Sequence, residues 1–253
     1  MKKICLITGA TSGIGEATAI QFAKQHWNLI LNGRRADKLE QLSANLTNNF
    51  GTKVLNLLFD VRNREDAVRC INNMDTNWKK IDVLVNNAGL AVGLNPIHEG
   101  IFDDWDRMID TNIKGLLTLT RLIAPLMIEN GKGHIVNIGS IAGKEVYPNG
   151  NVYCATKHAV DALSKAMRID LLPYNIKVSQ VCPGAVNTEF SIVRFKGDVN
   201  KADAVYQGYQ PLTATDIADA IFYVCNAPNN VCINDIMVMP YAQANTSVLI
   251  RKS

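Results

Sequence analysis

The sequence predicts an α/β fold, a single doubly wound parallel sheet with helices on both faces. Three observations carry that prediction. Short apolar runs alternate with helix-forming segments along the whole chain. The runs, Ile81 to Val85 and His134 to Ile138 among them, are nearly continuous rather than alternating, as strands covered on both faces require. The first run breaks into a glycine turn that opens a helix. Such an alternation of strand and helix leads to a parallel sheet with right-handed crossovers.

Residues 3 to 8 form the first strand, and a helical pattern runs on through Phe22 after the turn Gly9-Ala10-Thr11-Ser12-Gly13-Ile14-Gly15. In that context glycines let the backbone approach a ligand, and the helix N-terminus favours negative charge. Gly9, Thr11, Ser12, Gly13, Ile14 and Gly15 are therefore candidate phosphate-binding residues, with a tight structural turn as the alternative. The second strand, Asn28 to Asn32, meets Gly33-Arg34-Arg35. A carboxylate at this place usually holds the ribose hydroxyls of NAD. Two guanidiniums, which pair bidentately with phosphate and keep their charge, predict instead a 2′-phosphate and hence NADP.

A helix over residues 36 to 49 and a strand over 53 to 59 lead to Asp60-Val61, where Asp60 suits the cap of a helix starting near Asn63. The strand Ile81 to Val85 ends in Asn86-Asn87-Ala88-Gly89, whose small residues permit close approach while the amides tie the turn. A helix-forming stretch from about Asp103 to Glu129 is interrupted by Asp110-Thr111-Asn112. Its later part, Gly115 to Ile128, is apolar around more of its circumference than one sheet face requires, which predicts burial against another subunit.

The strand His134 to Ile138 delivers Ser140 to the carboxyl end of the sheet, where ligands of open α/β folds gather. Thirteen residues later comes Tyr153-Cys154-Ala155-Thr156-Lys157. Side chains four apart on a helix share a face, so the Lys157 ammonium can lower the pKa of the Tyr153 phenol and ready it for proton transfer. A lone pair of this kind also suits an ordinary surface helix; Ser140 is what favours chemistry. Ile176 to Cys182 is the next strand, ending at Pro183-Gly184 with Val186 and Thr188 close behind. Residues 190 to 211 are polar and lack a clear period, as a mobile lid would. A helix from about Thr215 to Cys225 and a last strand, Ile233 to Met239, complete the pattern.

Composition bounds the function. The chain has 253 residues, 47% of them apolar, enough for one large core and compatible with one domain. A formal charge of +3, spread without basic blocks, gives no footprint for nucleic acid or an anionic membrane, so small molecules are the expected partners. Cys5, Cys70, Cys154, Cys182, Cys225 and Cys232 form no C-x-x-C pair and fall mostly in apolar runs, which predicts reduced thiols in a cytoplasmic protein. The basic and apolar start imitates a signal peptide, but its apolar run is too short. His98 and His158 have no metal-ligand spacing, and no metal is expected.

Thr8-Gly9-x-x-x-Gly13-Ile14-Gly15, Asn86-Asn87-Ala88-Gly89, and Ser140 with Tyr153 and Lys157 together resemble the short-chain dehydrogenase/reductase family over residues 3 to 240. The resemblance implies a Rossmann-type sheet of about seven strands in the order 3-2-1-4-5-6-7. It also implies a cofactor half over about 1–140, a catalytic half over about 140–240 and a lid over about 186–211. It gives Asp60 and Val61 to the adenine, Asn87, Ala88 and Gly89 to the cofactor, and Pro183, Gly184, Val186 and Thr188 to the nicotinamide side. Asn112 is expected to bend its helix and hold a water that links Lys157 to solvent, and a homotetramer is the family's usual assembly. Arg34-Arg35, Asp60 to Arg64, Asn86 to Asn95, Gly150 to Tyr153 and Thr188 to Asp198 are similar to the NADP-dependent 3-hydroxy acid dehydrogenases, also called serine or L-allo-threonine dehydrogenases.

That resemblance implies hydride transfer from the 3-hydroxyl of small 3-hydroxy acids to NADP. Ser140 would hold the substrate oxygen, Tyr153 would exchange its proton, and Lys157 would tune the phenol and bind the nicotinamide ribose. An acid substrate needs a cation, for which Arg194 and Lys196 are candidates; the forked guanidinium favours Arg194. The alternatives are a broad carbonyl or 3-oxoacyl reductase and, outside catalysis, an NADPH-binding scaffold, which has no need of Ser140, Tyr153 and Lys157 together.

Overall fold

A computed structural model describes residues 2 to 252. Seven parallel strands form one sheet in the order β3-β2-β1-β4-β5-β6-β7. The strands are β1 (Ile4–Ile7), β2 (Asn28–Gly33), β3 (Val54–Leu58), β4 (Val83–Asn86), β5 (Gly133–Ile138), β6 (Ile176–Pro183) and β7 (Asp235–Val238). Between them lie α1 (Gly13–Lys24), α2 (Ala36–Phe50), α3 (Arg64–Asn72), α4 (Phe102–Ile109), α5 (Leu116–Glu129), α6 (Asn151–Leu171), α7 (Glu189–Arg194), α8 (Val199–Ala204) and α9 (Ala214–Cys225). Boundaries fall within a few residues of the sequence expectation.

Each central strand reads as unbroken apolar sequence because its alternate residues enter two different cores. Leu6, Ile30, Leu84, Ile135 and Val178 face one way and pack with Leu119, Ile123 and Met127 of α5 and Val160 of α6. Ile7, Leu31, Val85, Val136 and Val181 face the other way, against Phe22 of α1, Leu39 and Leu42 of α2, and Ile217 and Ile221 of α9. Register is fixed across the middle by Ile7 opposite both Leu31 and Val85 and by Asn86 opposite Asn137. Strand order reverses direction beside β1, between it and β4, so a crevice opens there at the carboxyl ends of the strands.

Two segments differ from the sequence expectation. Between α4 and α5 the chain passes through a π-turn over Asp110–Gly115, a form that tends to mark functional positions. Residues 186 to 211 contain α7 and α8, each six residues long and capped by the side chains of Thr188 and Asp198. Helices of less than two turns leave too few repeats for a periodic signal.

His134 on β5 is buried, its Nε2 2.7 Å from the Ser179 hydroxyl. Burial, helped by the Lys177 charge, pushes the imidazole down to about 4 from an ordinary value near 6.5. The unfolded chain therefore takes a proton on His134 as pH falls through 6.5 while the folded chain does not. Folding stability contributed by this group is full above pH 6.5 and lost between about 6.5 and 4, by roughly 3 kcal/mol at the lower end. His134→Asn should flatten that acid limb, measured by urea unfolding at pH 7 and pH 4.5. Equal losses in the variant and the parent would assign the acid sensitivity elsewhere.

Candidate active site

The glycine turn and the β4 turn are built as one unit. The Thr8 hydroxyl accepts the amides of Asn87 and Ala88 at 3.0 and 2.9 Å, and the Asn87 side chain donates to the Thr8 and Gly9 carbonyls at 2.8 and 3.2 Å. Gly13 has φ of +54°, which favours glycine. A methyl on Gly15 would lie 2.3 Å from the Gly9 carbonyl oxygen, so this residue lets the turn sit down on α1. Gly15 itself does not line the cleft. The other turn residues do: Gly9, Thr11, Ser12, Gly13 and Ile14 border a cleft of about 650 Å³ shared with Asn87, Ala88 and Gly89.

Arg34, Arg35, Asp60 and Val61 form one end of this cleft. Arg35 reaches back over the glycine turn to the Thr11 carbonyl and hydroxyl at 3.1 and 3.2 Å, and pairs with Glu189 of α7 at 3.1 Å. Arg34 is mostly exposed and touches Asp60 only at 3.4 Å. Asp60 is not a helix cap. Asn63 caps α3 by accepting the Asp66 amide, while Asp60 takes the forked side chain of Arg62 at 3.1 and 2.8 Å. Burial raises the Asp60 carboxyl, but the Arg62 hydrogen bonds and charge outweigh it and hold the group below its ordinary range. Anchored to Arg62, Asp60 leaves Arg34 and Arg35 as the cations turned to the cleft.

The central part of the cleft holds Ser140, Tyr153 and Lys157, all buried. Ser140 opens the short turn Ile141–Gly143, its hydroxyl accepting the Ala142 amide at 3.0 Å. A methyl on Gly143 would lie 2.6 Å from the Lys157 carbonyl oxygen; without one, α6 packs directly on this turn and brings the three side chains together. Lys157 Nζ donates to the Ile138 carbonyl at 2.8 Å and stands 6.0 Å from the Tyr153 ring centre. Burial pushes the ammonium down to about 8.

Burial also drives the Tyr153 phenol above its ordinary value near 10, opposed chiefly by the Arg194 guanidinium and then by the Ser140 hydroxyl. Lys157 is not among the principal groups in this balance. Lys157 uses one of its donors on Ile138, and Arg194 is the cation that most opposes burial at the phenol.

Asn112 lies in the π-turn behind Lys157, outside the cleft. Its side chain accepts from the Leu90 amide and donates to the Leu90 carbonyl, both at 2.8 Å, and to Thr156 at 3.0 Å. Both of its amide protons are engaged, so the side chain ties the β4 loop to α6. Pro183, Gly184, Val186 and Thr188 line the cleft beyond β6, where Thr188 caps α7 and packs over Gly13. His98 is exposed beside Glu99, and His158 is bonded to the Cys154 carbonyl on its own helix.

Residues that sequence reasoning did not single out complete the wall. Tyr147, Phe190, Tyr206, Tyr209, Gln243 and Arg251 all border the cleft. The chain after β7 folds back along it. Gln243 accepts the Ala185 amide at 2.9 Å, and the Arg251 guanidinium bonds the Val205 carbonyl at 3.0 Å. Polar residues without a period give no local signal of such long-range contacts.

Residues 3–198 match the family model described as short chain dehydrogenase. The chain belongs to the short-chain dehydrogenases. Among relatives of this dehydrogenase is the NADP-dependent 3-hydroxy acid dehydrogenase YdfG of Salmonella typhi, 44% identical over 99% of this chain and 100% of that protein. Another is the NADP-dependent 3-hydroxy acid dehydrogenase of Schizosaccharomyces pombe, at 41% over 99% and 97%. Its fold is similar to the closed form of a serine dehydrogenase complexed with NADP+, with a TM-score of 0.92 and 41% identity over 99% and 100% of the two chains. As in any such dehydrogenase, hydride transfer needs a dinucleotide. The donor set fits one bearing a 2′-phosphate: a turn closed by glycines at a helix start, and two guanidiniums where a ribose carboxylate would stand. Among the described residues no helix is long and apolar enough to cross a membrane.

Proposed function

We propose that this enzyme oxidises the 3-hydroxyl of small 3-hydroxy acids, of the L-serine, L-allo-threonine and 3-hydroxypropionate type, or reduces the matching semialdehyde or ketone. It is an NADP-dependent oxidoreductase acting on CH–OH groups. One observation carries the substrate class: the Arg194 guanidinium lies 5.1 Å from the Tyr153 ring centre, on the same wall of the cleft as Ser140. In a 3-hydroxy acid a single carbon separates the carboxyl carbon from the carbon bearing the hydroxyl. Its anchor must therefore stand close to the acid–base group, and Arg194 does. Lys196 does not serve, because its ammonium pairs with buried Asp104 at 2.7 Å.

NADP, when bound, supplies the hydride acceptor. The turn from Gly9 to Ile14 would hold its phosphates, Arg34 and Arg35 the 2′-phosphate, Asp60 and Val61 the adenine edge, and Asn87 to Gly89 the adjoining ribose. Lys157 would hold the other ribose, with Pro183, Gly184, Val186 and Thr188 along the nicotinamide side. Ser140 donates to the substrate oxygen and keeps it in line with Tyr153. In oxidation Tyr153, as phenolate, takes the hydroxyl proton; in reduction it gives the proton back to the carbonyl oxygen. Asn112 fixes the wall behind Lys157, and a water beside it returns the proton to solvent. Residues 186 to 211 close over the substrate. Free thiols at all six cysteines suit a reducing cytoplasm, and exposed Leu117 of α5 and Ile169 of α6 suit a homo-oligomer, a tetramer in this reading.

Arg194→Ala should raise the KM for 3-hydroxypropionate by roughly a hundredfold, the scale of a lost charge-assisted pair. The KM for 3-hydroxypropionamide should change at least tenfold less. Steady-state kinetics on the alkaline plateau decides this. Equal increases for the acid and the amide, or preference for long acyl thioesters, would favour the broad carbonyl reductase instead.

A further inference from the structure

Arg194 sits in an aromatic box rather than against an anion. Its guanidinium lies 5.0 Å from the Phe190 ring centre, 5.1 Å from Tyr153 and 5.7 Å from Tyr147. Nη2 donates to the Tyr147 hydroxyl at 2.8 Å, and among the described residues the buried Nε has no partner. The backbone is held as well, since the Gly93 amide donates to the Arg194 carbonyl at 3.0 Å and neighbouring Lys196 is clamped by Asp104 at 2.7 Å. A cation fixed over a phenol and, among the described residues, lacking a counter-ion interacts more favourably with the phenolate than with the phenol.

The other groups around Tyr153 come from several elements. The neutral Ser140 hydroxyl reaches it from the end of β5. From β6 comes Cys182, whose thiol burial pushes up to about 12, and from its own helix Cys154, also raised by burial. Burial raises the Tyr147 phenol too, so it faces Tyr153 uncharged. Lys157, the other cation at the site, is pushed down to about 8 by burial. The guanidinium keeps its charge.

We propose that Arg194 is a positioning residue acting through Tyr153: held against the ring by Tyr147 and Phe190, its fixed charge favours the reactive phenolate. A substrate carboxylate drawn to the same guanidinium then removes part of that support, so the acid substrate itself shifts Tyr153 toward its protonated form and leaves less phenolate to take its hydroxyl proton. The first part stands whatever the substrate; the second rests on the 3-hydroxy acid reading.

The test is the pH profile of oxidation of neutral 3-hydroxypropionamide with NADP by the parent enzyme, Arg194→Met and Arg194→Lys. In Arg194→Met the inflection of kcat/KM should move upward by about one pH unit or more, and Arg194→Lys should restore most of it. A merely structural role lowers rates at every pH and leaves the inflection in place, and that result overturns the proposal. Titration of NADPH confirms that each variant is folded. If the amide turns over too slowly, ¹³C-tyrosine NMR reads the same ionisation from the resonance missing in Tyr153→Phe, and equal midpoints in parent and Arg194→Met overturn the proposal again. For the second part, the kcat inflection of the parent should lie higher with 3-hydroxypropionate than with its amide. Coincident inflections refute this substrate effect. Equal kcat/KM for acid and amide would remove the 3-hydroxy acid reading, yet the shift in Arg194→Met would still decide the first part.

Discussion

Tyr153→Phe should lower kcat by roughly 10³- to 10⁴-fold in both directions, the scale of a lost general acid–base, while the Kd for NADPH changes little. The substitution removes one oxygen and nothing else. The ring is held by Leu90, Ala91, Val92, Met108, Ala142 and Cys154 and by a tilted contact with Phe190 at 5.6 Å between ring centres, so phenylalanine has the same packing to occupy. NADPH-linked turnover and NADPH fluorescence titration separate the two quantities. A variant that keeps its activity would mean that another group moves the proton, and Ser140, the remaining hydroxyl beside the ring, would become the suspect.

Replacing both Arg34 and Arg35 with alanine should raise the KM for NADPH by about a hundredfold and that for NADH by less than about threefold. Two charge-assisted bonds to a phosphate supply several kcal/mol when dry, but exposure of both side chains screens them and trims the effect. Asp60 keeps Arg62 as its partner in the variant, while Glu189, exposed at the rim, exchanges Arg35 for solvent. Parallel kinetics with the two cofactors give the ratio directly. Equal changes for both would remove the 2′-phosphate from the argument and leave the arginines as general rim charges.

Where the chain alone was legible, the reason is local. Leu29, Ile30 and Leu31 of β2 are apolar in succession because each face of the sheet is covered, and that continuity is visible without coordinates. Gly13 and Gly15 are visible for a similar reason, since a turn with positive φ and a backbone crossing at close range admit only one residue type. Tyr153 and Lys157 share a helix and hence a spacing.

Arg194 was legible as a cation near the substrate but not as the dominant charge on Tyr153. Phe190 stands four residues before Arg194 on α7, a spacing the chain does show, but Tyr147 and Tyr153 join the box from other segments, and no spacing encodes that meeting. The π-turn was visible only as an interruption at Asp110 to Asn112, because sequence marks where regular hydrogen bonding fails and not what replaces it. Gln243 and Arg251 were missed outright: they reach the cleft by bonding backbone atoms, and a carbonyl or amide looks alike whatever residue carries it.

One consequence follows from the hydroxyl of Thr8, which binds the amides of both Asn87 and Ala88. A single oxygen rivets the two sides of the crevice at its base, so the floor cannot spread to admit a bulkier molecule. Any widening must come from the opposite bank, where the two short helices α7 and α8 rather than paired strands carry the chain. New substrates can therefore be acquired by mutation of the residues beyond Glu189, while the glycine turn and the β4 turn stay as they are.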